Sequence, residues 1–528
     1  MRSAYDFIVV GGGSAGAVLA ARLSENRKAR VLLLEAGPRD WHPLFRIPAG
    51  FAKMTRGIGS WGWHTVPQKH MKNMVIRFTQ AKVLGGGSTI NAQIYTRGNA
   101  LDYDEWQQMG CRGWGYEDVL RYFRKAEDND THEDRYHGKD GPLSVSQPAA
   151  PLPICEAFFE AAGAIGIPRN HDMTGESQDG VGYYQLTQSK ARRCSTSSSY
   201  LNPIVGRRRN LSVRTGTQVL RIVVSNGRAQ GVELADEGVI RADAEVVVSA
   251  GAIGTPRLLQ LSGIGPADHL RKIGVPVVFD QPGVGSNLQD HLDLYVVAEC
   301  SGPHTYDRFA APHRSLAAGL QYLLFRTGPA ASSLFETGGF WYANPDARSP
   351  DIQFHLGLGS GIEAGVSAMK DGGVTLNTAY MRPRSRGSVR LASADPADAP
   401  LIDPNYWEDP HDRTQAIRGL KLAQRIMRQN ALKPFIRSEK LPGADVRSDQ
   451  DYFNYACAHA KTDHHPAGTC RMGSDQGAVV DPELRFRGID NLRIVDNSIM
   501  PALISSNTNA AAVMIGEKAA DMISAMHG

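Results

Sequence analysis

Gly11, Gly13 and Gly16 follow the apolar run Ile8-Val9-Val10 with the G-x-G-x-x-G spacing of a dinucleotide-binding turn. Each glycine answers a separate demand. The first permits a tight bend, the second lets backbone approach a pyrophosphate, and the third lets the next helix pack on the sheet with its N-terminal amides facing phosphate. Such turns also occur without ligand, purely for packing. What favours binding here is the second strand: "ARVLLLEAG" ends in Glu35, 19 residues after Gly16, where a Rossmann unit carries the acid that bonds a ribose.

A second glycine-rich stretch, "AKVLGGGSTINAQIYTRG" (Ala81 to Gly98), holds the side-chain amide of Asn91 and more Gly and Ser than packing alone requires. Three further segments follow: "GAIGTPRLLQLSGIG" (Gly251 to Gly265), "HPAGTCRMG" (His465 to Gly473) and "VDNSIMPALISSNTN" (Val495 to Asn509). Together and in this order, the segments resemble the signatures of the glucose-methanol-choline (GMC) oxidoreductase family. The resemblance runs from residue 6 to residue 509.

That resemblance implies FAD rather than NAD. Gly11, Gly13, Ser14, Ala15 and Gly16, with Glu35 and Ala36, would take the ADP half. Gly85, Gly86, Ser88, Asn91 and Ala92 would run along the isoalloxazine and pyrophosphate, with Val219, Asp496 and Asn509 completing the cofactor site. Asn509 and the first amides of the last helix would face the pyrimidine side of the ring, where reduction places negative charge. In the choline oxidase branch a histidine one residue before the loop asparagine is linked to flavin. Here that position is Ile90, so the FAD is expected to be non-covalent.

The same resemblance makes His465 the general base, because hydride leaves a carbinol carbon readily only as the hydroxyl proton is removed. His464 is the competing residue, expected to point away from its neighbour in extended chain and to contact substrate. Asn507 occupies the family's second catalytic position and could hold a substrate oxygen through its amide; an N-cap is the alternative reading. Glu336 in "SLFETGGFWY" is a candidate substrate contact, with a salt-bridged or solvated carboxylate equally compatible. Trp61 and Trp63 could close the cavity or belong to the core. No metal site is expected.

Within the family, "HPLFRIPAGFAKMTRG", "VPQKH" and "INAQIYTRG" are most similar to bacterial L-sorbose dehydrogenases, with choline and polyethylene glycol dehydrogenases somewhat farther. The expected reaction is oxidation of a primary alcohol to an aldehyde, with L-sorbose to L-sorbosone as first choice. The electrons would pass to a quinone, a dye or dioxygen. A hydroxynitrile lyase on the same fold and a flavin-binding protein without activity are the readings from other classes.

The elements that must position these residues follow from length and pattern. A chain of 528 residues exceeds one ordinary core and fits two to four domains. With 42% hydrophobic and 21% charged residues and 55 glycines, it reads as a loop-rich α/β enzyme. A formal net charge of +4 is too small to suggest nucleic acid, and "GRRRN" (Gly206 to Asn210) reads as a solvated turn. Six cysteines without C-x-x-C pairs suggest neither zinc nor disulfides. No stretch of 18 apolar residues occurs. The expectation is a cytoplasmic protein, compatible with peripheral membrane association, with the oligomeric state left open.

The fold class expected is α/β, α+β overall: a Rossmann-like FAD-binding domain interleaved with a substrate domain on an antiparallel sheet flanked by helices. Residues 1–150, 190–300 and 455–528 would form the first; residues 151–189 and 301–454 would form the second. "HRSLAAGLQYLLFR" and "NTNAAAVMIGEKAADMISAM" have helical spacing, while "DIQFHLGLG", "GVTLNTAYMRP" and "GSVRLAS" read as strands.

Overall fold

The computed structural model describes residues 4–54, 57–360 and 366–527. Strand β1 (Ala4–Val10) lies parallel to β2 (Val31–Glu35) with Ile8 opposite Leu32, and parallel on its other side to Gly238–Val248 with Ile8 opposite Val246. Every residue of β2 is buried, as a continuous apolar run in a covered parallel sheet must be. Leu211–Thr215 extends the sheet beyond β2, while Arg228–Leu234 and Val219–Ser225 continue it antiparallel beyond Gly238–Val248.

Helix α1 (Ser14–Leu23) leaves β1 through the glycine turn. Gly11 has φ +103°, and a Cβ there would lie 2.4 Å from the Ser249 carbonyl oxygen; one on Gly16 would lie 2.0 Å from the Gly11 carbonyl oxygen. Both positions exclude any side chain. Helix α2 (Gly251–Leu261) follows Gly238–Val248 through a comparable turn. After α3 (Pro312–Phe325), the closing helix α4 (Asn509–His527) packs on α1. There the buried Glu517 pairs with Arg22 at 2.8 Å and accepts from Tyr200 Oη.

A second, antiparallel sheet runs in the order Ile436–Leu441, Leu292–Cys300, Gly373–Tyr380, Ile352–Gly357, Thr337–Trp341, Gly180–Tyr183. Alternate side chains on its strands point to opposite faces. Leu294, Val296, Phe354, Leu356 and Leu376 join a core with residues of the helices Pro153–Gly163 and Pro410–Met427. Tyr295, His355 and Asn377, one residue out of phase, line the cavity beneath.

Leu292–Cys300 belongs to the second sheet and Lys461–Thr462 pairs with it, although both fall within the stretches 190–300 and 455–528 expected to accompany the first sheet. All six cysteines are buried and free.

Candidate active site

One cavity of about 770 Å³ extends from the glycine turn to the second sheet. Three helices begin on it, through Gly13 to Ala15 of α1, Gly251 and Ala252 of α2, and Asn507 to Asn509 ahead of α4. Ser14 Oγ donates to Asn509 Oδ1 at 2.7 Å, tying the first and last of these ends together. Helix N-termini carry unpaired amides and partial positive charge, so their convergence favours an anionic, phosphate-bearing ligand. A Cβ on Gly13 would have no atom closer than 3.9 Å, and one on Gly251 none within 4 Å, so both backbones are bare toward the cavity.

Glu35 lines the same end. Its Oε2 accepts from the Gly12 amide at 2.8 Å and its Oε1 from the Gly37 amide at 2.7 Å, while burial raises its pKa to about 6. Asp496 also lines the cavity, but its carboxylate caps α2, accepting from Gly251 N and Thr255 Oγ1. Asn91 Oδ1 accepts from the buried Arg193 at 2.7 Å. Ala36, Gly86, Ile90, Ala92 and Val219 complete this part of the wall. These groups fit a dinucleotide: bare backbone at helix ends for the diphosphate and a fixed carboxyl at the end of β2 for a ribose.

Gly16, Gly85 and Ser88 do not line the cavity. Gly16 serves helix packing, and Ser88 Oγ donates to the Gly85 carbonyl at 2.6 Å, so the two hold the loop's shape from behind. Glu336 is also outside it. Phe335 lines the cavity but the buried Glu336 beside it does not, and burial raises the Glu336 carboxyl to about 7. Trp61 and Trp63 line the cavity, stacked with centroids 5.0 Å apart.

At the far end His465 and Asn507 meet, with Asn507 Nδ2 3.1 Å from His465 Nε2. The amide cannot turn over: Asn507 Oδ1 accepts from Gln353 Nε2 at 2.8 Å and Thr96 Oγ1 at 3.1 Å. Helix α4 begins only at Asn509, and the Asn507 side chain serves this network rather than a helix cap.

The proton on His465 is equally determined. His291 Nε2 lies 3.1 Å from the Met381 carbonyl oxygen, which can only accept, so that nitrogen carries the proton and His291 Nδ1 is left with its lone pair. His465 Nδ1, 3.0 Å away, must therefore donate to it, leaving Nε2 of His465 as the free base toward Asn507. Burial, reinforced by the neighbouring histidines and Lys461, holds the His465 pKa well below its usual value; burial likewise lowers His291 to about 3. Asp290 fixes the backbone by accepting from the His465 amide at 2.8 Å.

His464 also lines the cavity, but through a left-handed φ of +62° rather than by extended alternation, and it is exposed where His465 is buried. Three contributors were not expected from sequence: His291, Gln353 and His355, whose Nε2 is buried without a hydrogen-bond partner among the described residues. Gln353 and His355 alternate along the apolar strand Ile352–Gly357, a spacing that puts them on one face without saying which, and His291 lies just ahead of Leu292–Cys300, outside the strand.

Two family profiles described as GMC oxidoreductase match residues 5–293 and 383–516. The chain belongs to the GMC oxidoreductase family. It is 42% identical to the mitochondrial choline dehydrogenase of Homo sapiens over 99% of this chain and 90% of that protein. It is 39% identical to an alcohol dehydrogenase [acceptor] of Pseudomonas putida over 98% and 95%. A solved FAD-dependent oxidoreductase from Chaetomium thermophilum superposes with a TM-score of 0.91 at 26% identity, covering 99% of both chains. This GMC member is an FAD-dependent alcohol oxidoreductase.

Proposed function

We propose that the chain oxidises a primary alcohol to an aldehyde in the pocket between His465, Asn507 and the second sheet. The observation that carries this reading is the 3.1 Å pairing of a lone-pair Nε2 on His465 with an N–H of Asn507. A hydroxyl entering there can donate to the histidine while accepting from the amide. His465 Nε2 then takes the hydroxyl proton, and the Asn507 amide holds the oxygen as negative charge develops on it. The Nδ1 proton remains between His465 and His291, with the Asp463 carboxylate 3.4 Å from Nδ1 to stabilise the imidazolium that results. Bound FAD supplies the oxidant, accepting the hydride from the carbinol carbon.

Glu35, Gly13, Ser14, Asn91 and Asn509 would hold that FAD. Ile90 offers no nucleophilic nitrogen at the position of the family's histidyl link, which supports non-covalent attachment; acid precipitation should release free FAD. An L-sorbose preference gains no support from the relatives, whose names give choline and alcohols. The aromatic walls Phe51, Tyr295 and Phe335 suit a quaternary ammonium. Lys461, paired with Asp293 at 2.7 Å on the same wall, favours a neutral alcohol.

The test is anaerobic mixing of the holoenzyme with choline, L-sorbose, a polyethylene glycol and simple primary alcohols while the visible flavin band is followed. Bleaching by at least one alcohol is expected. Turnover of a cyanohydrin with the band unchanged, and no bleaching by any alcohol, would overturn the reading in favour of a lyase.

A further inference from the structure

Among the described residues thirteen large apolar side chains are exposed, and five of them lie on α3: Leu316, Leu320, Leu323, Leu324 and Phe325, at 66%, 51%, 62%, 72% and 69% exposure. Scattered exposed leucines mean little, but a cluster does. At about 100° per residue the four leucines fall within roughly 100° of the helix circumference. Ala318 and Tyr322, the two buried residues of α3, lie on the opposite side. The helix is therefore amphipathic with its apolar stripe turned outward.

Its charges have one sign. Between Arg308 and Phe335 the sequence contains Arg308, His313, Arg314 and Arg326 and no carboxylate. Asp307, just before, is directed inward to the Ser360 and Gly373 amides. Tyr322 Oη donates to the Ala191 carbonyl at 2.9 Å, bringing the exposed Lys190 and Arg192 beside the same helix. No helix among the described residues is long and apolar enough to cross a membrane. An outward stripe of Leu with cations on and beside the helix is the pattern of a helix lying in a lipid headgroup layer.

We propose that α3 docks this protein on an anionic lipid bilayer, with the leucine stripe inserted at the acyl boundary and the arginines and Lys190 at the headgroups. The turn Pro329–Ala331 after α3 packs on Pro48–Gly50, and the next residue, Phe51, lines the cavity opposite Phe335 with ring centroids 5.8 Å apart. The docked face therefore adjoins the substrate end of the cavity rather than its ADP end.

The FAD-loaded full chain should sediment with vesicles of mixed phosphatidylglycerol and phosphatidylcholine, and far less with phosphatidylcholine alone or at about 0.5 M salt. Leu320→Glu with Leu323→Glu should weaken vesicle binding roughly tenfold or more while dye-linked alcohol turnover stays within about twofold. Arg314→Gln with Arg326→Gln should weaken binding to the anionic vesicles only. Native protein that stays in the supernatant with both lipids, or leucine variants that bind as the native chain does, would refute membrane docking. A lipid-free dimer that the leucine substitutions split in sedimentation velocity would show that a second copy covers the face, and the proposal would fail.

Discussion

In the proposed reaction the chemistry at His465 turns on which nitrogen holds a proton, and the hydrogen bonds decide that through His291 at the Met381 carbonyl. His465→Ala should retain FAD while slowing flavin reduction by roughly 10²–10⁴, the usual worth of a positioned base. His464→Ala should remain within about tenfold. His291→Phe removes the acceptor for the Nδ1 proton without touching substrate; reduction should slow by roughly tenfold or more with KM little changed. A His291→Phe enzyme reducing at the native rate would refute the relay. Because the His465 pKa lies well below 6.5, the neutral base is present throughout mildly acidic pH; the rate should stay level there and fall only as pH drops through that lowered value. An acid limb centred near 6.5 in single-turnover reduction would contradict the burial argument. His465 and Asn507 were legible from their motifs. His355 was not, because alternation in a strand does not say which face a side chain turns to, and His291, just ahead of its strand, lies outside that pattern.

Elements place these residues by two simple periodicities. The helix starts at Gly13 and Gly251 were legible as glycine following apolar strand and that at Asn509 as an asparagine-rich lead into helical spacing, and the bare backbone at Gly13 has a direct consequence. Gly13→Val, which meets no protein atom within 3.9 Å at its Cβ, should leave the fold intact and deplete bound FAD, measured as flavin released per chain. Full occupancy in that variant would remove Gly13 from the cofactor site. In the second sheet the period of two was readable, but not where it starts: Glu336, a candidate substrate contact with a salt-bridged or solvated carboxylate as the alternative, sits just ahead of the strand Thr337–Trp341 and does not line the cavity. Its buried carboxyl, raised from an ordinary 4.5 to about 7, stays protonated in the folded chain while the unfolded chain ionises. Stability is thus present at low pH and is lost as pH rises toward and through 7, by roughly 3 kcal/mol. Glu336→Gln should raise Tm at pH 8 and leave it nearly unchanged at pH 4. An equal effect at both values would mean that the carboxyl finds a charge-stabilising partner.

Across the whole molecule the two sheets are not successive in sequence, which is why composition and linkers could not divide them. We propose a division by sheet, with the crossings just before Leu292 and just after Thr462. No Pro- or Ser-rich segment marks either crossing, because each is a strand end held by the partner sheet. The cavity lies between the two units and draws its wall from Val10 at one end of the chain to Ala512 at the other. A ligand bound there binds the folded chain and not the unfolded one, so it must stabilise both units together. Added FAD should raise the stability of apoprotein by RT ln(1 + [FAD]/Kd), about 2.7 kcal/mol at a hundredfold excess over Kd. The unfolding transitions read by backbone circular dichroism and by tryptophan fluorescence should move upward together with FAD concentration. If the fluorescence transition shifts while the backbone transition does not, FAD is held by one unit alone and the cavity does not couple the two sheets.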